Sequence, residues 1–393
     1  MLKKWDKIKK IFKQFDGLAT IGSANVISSA ISGLFWIYVA SLLGTELYGK
    51  ISYLLAIVII AGTVASLGAG PTLVVFTAKK IKLQSSVYTV GIISAVITAI
   101  VLFQQISDVG VSVYIVGFVI FTLAINELLG QRLYNVYRKY VLTQKILQVL
   151  LGLLFYYILG FNGLLLGIGL SFFPYVIRIY KGFHESEIKF SLLKQNSGFM
   201  FNSYVLELSR TFSGSLDKLI IMPLFSLALL GNYQLGIQFL AILSLLPSAT
   251  FQYFLSQDAS GNTNFKLKKI IIISSIPLTL STIFLTPYII PIIFPKFGES
   301  ISIIQIISFA ILPITINSVY SSRFLASEKT KIVLIGASIY LGIQIPAIII
   351  LGLQYGGNGI AFSLVLANVA EALFLISVTK YLDKKDWKNS NTQ

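Results

Sequence analysis

Three stretches of this chain, Leu83–Ser107, Ile270–Pro295 and Ile332–Ala370, run without a single charged residue and are mostly apolar. Each is long enough to cross a hydrocarbon core of about 30 Å as a helix. Charged residues make up 12% of the 393 positions, about half the usual share for a soluble domain. They gather in short clusters between the apolar stretches. A soluble protein has no interior able to hide so many such segments, so the expected class is an all-α polytopic membrane protein.

Hydropathy and helix-breaking residues place twelve spans. The first six lie near 17–43, 47–76, 85–105, 110–131, 141–160 and 161–181, and the second six near 198–224, 231–256, 267–289, 299–320, 331–352 and 357–380. The fifth and sixth are separated only at Gly160–Gly163, and Pro287–Pro295 blurs the end of the ninth. With the N-terminus inside, 27 of the 31 Lys and Arg fall on the cytoplasmic side, among them Lys79, Lys80, Lys82, Lys145, Arg178, Lys189 and Arg323. A missed helix would scramble that alternation downstream of the error. Both termini are therefore expected inside. The organisation reads as a cytoplasmic amphipathic segment (1–16), a six-helix bundle (17–181), a cytoplasmic linker (182–197), a second six-helix bundle (198–380) and a cytoplasmic tail (381–393).

The net charge of +16 is then a topology signal with attraction to anionic lipid as a by-product, and needs no nucleic-acid partner. Membrane lipids are the expected surroundings. The chain has no Cys and one His, His184, which leaves no thiol chemistry and no histidine pair for a metal. Met1–Phe15 is Lys-rich and amphipathic without a small-residue cleavage site, and reads as a collar helix on the lipid surface.

The two halves echo each other. Leu42-Leu43-Gly44 with Tyr48 recurs as Leu229-Leu230-Gly231 with Tyr233. Ile125-Asn126 with Arg132 recurs as Ile316-Asn317 with Arg323, and Asn162-Gly163 as Asn358-Gly359. Because each half has an even number of spans, the repeats have the same orientation, as in carriers built from parallel six-helix bundles. Two bundles that merely pack together would show the same echo.

Ionisable residues inside spans are costly, so the exceptions inform. Glu207, Arg210, Thr211, Gly214, Asp217 and Lys218 follow three- and four-residue spacing and share a helix face. Such a stripe suits a watery or anion-containing cavity, with Arg210 and Lys218 as anion partners; internal pairing that holds the bundle together is the plainer alternative. Asn25, Ser29, Ser32 and Trp36 make a milder stripe on the first span, and Gln234 and Gln238 another on the eighth. Cavity lining and interhelical hydrogen bonding account for these equally well. Glu207, Asp217 and Glu371 are the candidate ion-coupling carboxylates. Gly70-Pro71, within Gly68-Ala69-Gly70-Pro71, should kink the second span and is the candidate hinge. No HExxH, P-loop or GxSxG is present, and no metal site or cofactor is expected beyond Na⁺ or H⁺ as a coupling ion.

The segment Asn25 to Lys80 resembles the start of polysaccharide-export flippases of the multidrug/oligosaccharidyl-lipid/polysaccharide (MOP) superfamily. The likeness rests on Asn25, on Ala40-Ser41-Leu42-Leu43-Gly44-x-x-x-Tyr48-Gly49, and on Leu67-Gly68-Ala69-Gly70 before a basic loop. Gly214-Ser215-Leu216-Asp217-Lys218-Leu219-Ile220-Ile221 followed by Leu230-Gly231-Asn232-Tyr233 looks similar in the second half. The resemblance implies a MATE/MOP-like fold and a carrier that flips a polyprenyl-diphosphate-linked glycan outward, working beside glycan-assembly enzymes. Other members of that superfamily export drugs in exchange for Na⁺ or H⁺, which keeps a MATE-type antiporter as the alternative. A membrane glycan polymerase or ligase fits less well, because the longest outward connector, about Thr286–Ser300, carries only Lys296 and Glu299.

Overall fold

The computed structural model describes the backbone of residues 2–245, 247, 248, 250, 251, 254, 258, 265–327 and 329–390. Side chains are described from Thr20 to Leu382 within those ranges, Phe265 excepted. Every regular element among them is an α-helix. The first seven are α1 (Leu2–Ser66), α2 (Ala69–Ala78), α3 (Gln84–Ile106), α4 (Val109–Gly130), α5 (Tyr134–Leu159), α6 (Phe161–Leu170) and α7 (Pro174–Glu185). They are followed by α8 (Phe190–Gln195), α9 (Ser197–Leu224), α10 (Leu227–Leu243), α11 (Phe265–Ile293), α12 (Ser300–Ser308), α13 (Ile311–Ala326) and α14 (Thr330–Ser390). α1 and α14 are each two helices joined across one non-helical residue, Gly44 and Gly356.

Among the described residues, 8 helices are long and apolar enough to cross a membrane, including Thr20–Ser66 with 47 residues and Thr330–Leu382 with 53. Their outward side chains are those that lipid would solvate: Ile292 is 80% exposed and Leu353 70%. Many hydroxyls inside them bond back to a carbonyl three or four residues earlier, as Ser52 does to Tyr48 (2.6 Å) and Thr315 to Ile311 (2.7 Å). That satisfies the hydroxyl within its own helix, so a Ser or Thr there carries no functional meaning by itself.

The chain divides into two compact units, Met1–Phe35 with Leu54–Leu216, and Trp36–Tyr53 with Asp217–Gln393. In the first, α4 packs against α2, α3, α6 and α7. Val111, Ile115, Val119 and Leu123 repeat every four residues and are fully buried on it. Phe121 meets Tyr175 edge-on at 5.2 Å between centroids. Asp108 caps the start of α4 by accepting from the Val111 amide at 3.2 Å, which satisfies one of the four unpaired N–H groups there. The break expected in the second span is present. Leu67 and Gly68 take left-handed φ of 51° and 74°, so the turn falls just before Gly70-Pro71. Pro71 then lies in the first turn of α2, where a missing N–H is harmless.

In the second unit α12 packs against α10, α11 and α14. Its Ile303 and Ile307 join Ile221, Leu230, Tyr233 and Ile360 in the core. Tyr48, fully buried, lies edge-on to Phe297 at 6.0 Å. Here the first turns of the α1 arm after Gly44 and of α10 cross reciprocally. A Cβ on Gly49 would come within 1.9 Å of the Leu227 carbonyl oxygen, and one on Gly231 within 1.9 Å of that of Thr45. The counterpart of Gly231 is thus Gly49. The letters alone pair it with Gly44, five residues too early.

A second repeat is geometrically the same in both units. Gly160 and Gly356 have φ of 68° and 57°, and each opens a tight helical hairpin. A Cβ on Gly163 would lie 2.0 Å from the Phe155 carbonyl oxygen, and one on Gly359 1.9 Å from that of Leu351. Both members of each pair are eight positions apart, and only glycine lets the helices approach so closely.

Candidate functional site

α9 has the length of a span, with 28 residues, but its charges keep it out of the apolar set. It is a continuous helix through all six positions of the expected stripe. The part of the stripe in the first unit has a packed edge and an open edge. On the packed edge, Glu207 reaches the space that a Cβ on Gly70 would fill: its Oε1 lies 2.7 Å from that point, and the Asn126 amide 3.1 Å. Gly70 is therefore small because a carboxylate sits against it. The other oxygen of Glu207, Oε2, is buried with no hydrogen-bond partner among the described residues. One turn on, Thr211 and Thr63 share a hydroxyl hydrogen bond at 3.1 Å.

Arg210 and Gly214 form the open edge. Arg210 is exposed, makes no hydrogen bond or ion pair with a described residue, and lies close enough to Glu207 to act on its charge. No described residue comes within 4 Å of the space a Cβ would take on Gly214. Leaving a guanidinium to face lipid would cost about 2.5–3.5 kcal/mol on insertion scales. An anion or water beside it removes that cost.

The milder stripe of α1 is divided. Asn25 accepts from the Tyr137 hydroxyl of α5 at 2.9 Å. Ser29 is exposed. The Ser32 hydroxyl is buried without a hydrogen-bond partner among the described residues.

In the second unit, Asp217 and Lys218 come together as sequence neighbours, Nζ to Oδ1 at 3.2 Å. Asp217 also accepts from the Tyr233 hydroxyl at 3.1 Å. Glu371, on the second arm of α14, accepts from the Asn317 amide at 3.1 Å, and the same amide reaches the Asn368 carbonyl at 3.3 Å. Gln234 and Gln238 are half-buried on α10, and the Gln234 Oε1 lacks a hydrogen-bond partner among the described residues.

Three polar groups lie where sequence reasoning placed no function. Arg178, counted among the cytoplasmic charges, is buried on α7 and grips Glu127 of α4 with two nitrogens at 2.7 and 2.8 Å. Glu185 and Gln131 complete that network at 3.1 and 3.0 Å. The available signal was the lone Glu127 inside an apolar span. Lys145 lies eleven positions inside α5, half-buried, and donates to Gln148 at 2.9 Å. Lys268 is buried against Asp258 at 2.6 Å.

No protein-family model matches the chain, and no curated protein matches it. Solved structures do. The chain is similar to the lipid II flippase MurJ in an inward closed conformation, with a TM-score of 0.75 at 17% identity over 92% of this chain and 87% of that one. It is similar to an inward-facing multidrug resistance transporter of the MATE family of the MOP superfamily, with a TM-score of 0.65 at 15% identity over 91% and 96%. It is also similar to a eukaryotic MATE transporter, with a TM-score of 0.61 at 16% identity over 94% and 96%. The chain therefore has the multi-pass transporter fold that a flippase and MATE transporters share.

Proposed function

We propose, from that shared fold, that the chain is an alternating-access flippase. It moves a polyprenyl-(di)phosphate-linked oligosaccharide from the cytoplasmic to the outer leaflet for surface glycan assembly. The observation that carries this reading is Arg210, exposed inside α9 beside the empty notch at Gly214. A guanidinium offers a planar fork of donors suited to phosphate oxygens, and a diphosphate headgroup supplies the anion that an intramembrane arginine needs. Lys218 is the weaker anion partner, since Asp217 already accepts from it. Enzymes that build the glycan would be the neighbouring partners.

The same reading sets the span count at twelve. The 47- and 53-residue helices are each about 70–80 Å long at 1.5 Å per residue, more than twice the hydrocarbon thickness. Each is interrupted at a glycine, so each crosses twice. α9 and α10 supply the remaining two. Both termini then lie inside, with the lysine-rich connectors.

A MATE-type antiport reading draws on different residues, Asp217 with its Tyr233 hydrogen bond and Glu371 with its Asn317 hydrogen bond, which would serve Na⁺ or H⁺. One experiment separates the two. The protein is reconstituted in vesicles with a labelled polyprenyl-diphosphate sugar, and access of an external enzyme to the label is followed. Protein-dependent movement that Arg210→Ala abolishes supports the flippase. No movement across several lipid-linked sugars, together with gradient-driven efflux of an organic cation, supports the antiporter.

A further inference from the structure

The central helices of the two units begin differently. Asp108 stands before α4 and caps it, accepting from the Val111 amide at 3.2 Å. Glu299 holds the same place before α12 and makes no cap hydrogen bond. Its carboxylate turns instead to Asn232 of α10, whose amide donates to Oε2 at 3.2 Å. Asn232 is 3% exposed, and its amide also donates to the Ala228 carbonyl at 3.2 Å. That leaves the Asn232 Oδ1 buried without a hydrogen-bond partner among the described residues. Holding Glu299 in this way leaves an unsatisfied acceptor inside the unit, which is unfavourable in itself.

A second exposed group is held in the same manner. Asn358, in the first turn of the second arm of α14, accepts through Oδ1 from the Ser302 hydroxyl at 2.7 Å. Ser302 lies three residues beyond Glu299 along α12, and residues so spaced stand about 5–6 Å apart at Cβ. Glu299 and Asn358 are both exposed. Each is anchored at one oxygen, while the Glu299 Oε1 and the Asn358 amide nitrogen have no partner among the described residues. An acceptor and a donor are thus left open on neighbouring exposed side chains. Fixing a side chain that serves only for solvation loses entropy to no end. Fixed in advance, it lowers what a ligand must supply on binding.

We propose that this end of the second unit is a sugar-binding surface, with Glu299 and Asn358 holding adjacent hydroxyls of a pyranose. A hydroxyl both donates and accepts, so one donates to the Glu299 Oε1 while its neighbour accepts from the Asn358 amide. Gln354 and Tyr355, both exposed, are the last residues before the hairpin glycine Gly356. They bring a second amide and an aromatic ring to the same end. The proposal rests on the flippase reading for the source of the sugar, a glycan emerging on the outer side. It gives that glycan a contact of its own, apart from the headgroup at Arg210.

The test uses the full-length protein in nanodiscs of dioleoyl phosphatidylcholine, prepared without sugar-based detergent. Binding of maltotriose, cellotriose and chitotriose is read by saturation-transfer NMR. At least one should bind, and Glu299→Ala should weaken it about ten-fold, the weight of one hydrogen bond to a charged group. Glu299→Gln keeps the planar group and should lose less, and it serves if the alanine variant folds poorly. Asn358→Ala should also weaken binding, whereas Asn162→Ala, at the matching hairpin of the first unit, should change nothing. The chain has no cysteine, so Gly298→Cys, at a position where a Cβ meets nothing within 4 Å, can carry a nitroxide. That label should broaden the signals of the bound sugar, and one on Lys189→Cys should not. Binding of none of the three sugars, equal loss in Asn162→Ala, or broadening from Lys189→Cys alone would overturn the proposal. The two readings fail separately. Lipid-linked sugar movement without trisaccharide binding removes this surface only; trisaccharide binding here without movement in the leaflet assay removes the flippase only.

Discussion

Arg210 shows how much one side chain's surroundings decide. Its neighbours on the helix, Glu207 and Thr211, are drawn into packing with Gly70 and Thr63, whereas Arg210 stays outside that contact. Arg210→Ala should abolish lipid-linked sugar movement without loss of expression, and Arg210→Lys should keep part of it, read in the leaflet assay. Full transport by an alanine variant that expresses normally would remove the headgroup role. Glu371 has one amide donor, Asn317, and no described ion-pair partner. Glu371→Gln keeps that hydrogen bond and removes the charge, so it should abolish dependence on an ion gradient before it weakens substrate binding. Unchanged gradient dependence would strike Glu371 from the coupling candidates. At this scale the sequence was informative about which residues are unusual. It was silent on what they touch, since the partners of Glu207 and Glu371 come from other helices. Lys145 is the clearest case: it counted only as one of the cytoplasmic charges, while in α5, eleven positions past Tyr134, it donates to Gln148.

Between elements, two kinds of joint hold the bundle units. One is ionic. Glu127 ties α4 to Arg178 of α7 in a fully buried two-nitrogen grip, and removing one partner of a buried pair costs about 3–5 kcal/mol. Glu127→Gln should therefore lower the thermal midpoint in detergent markedly. Glu185→Gln, at the exposed side of the same network, should lower it far less; equal shifts would show the burial to be irrelevant. The other joint is made by glycine. Gly163→Ala and Gly231→Ala each place a methyl within 2.0 Å of a carbonyl oxygen, and overpacking of this kind costs about 1–3 kcal/mol or more where backbone cannot yield. Both should melt earlier than Gly298→Ala, whose Cβ meets nothing within 4 Å. The hairpin at Asn162-Gly163 and its echo at Asn358-Gly359 were legible because a glycine between apolar runs has few other uses. The ionic joint was not, since its partners lie 51 positions apart and no spacing rule connects them.

Across the whole molecule, the long apolar runs and the side on which the basic connectors fall are what the sequence states most clearly. The proposed orientation can be measured without background, because the chain has no cysteine of its own. Single cysteines at Lys79, Lys189 and Lys331 should react with an impermeant maleimide only in inverted vesicles, and those at Asn162 and Gly298 only in intact cells. The reverse pattern would sink the proposed topology. What sequence comparison did not reach, the fold did: a TM-score of 0.75 stands beside 17% identity. The crossing of Gly49 over Gly231 carries a lesson of the same kind. That joint is written in missing atoms, so it specifies nothing about the identity of the side chains around it. Such a joint constrains two positions and leaves the letters around it open, so a fold held together in this way is legible as shape where it is not legible as text.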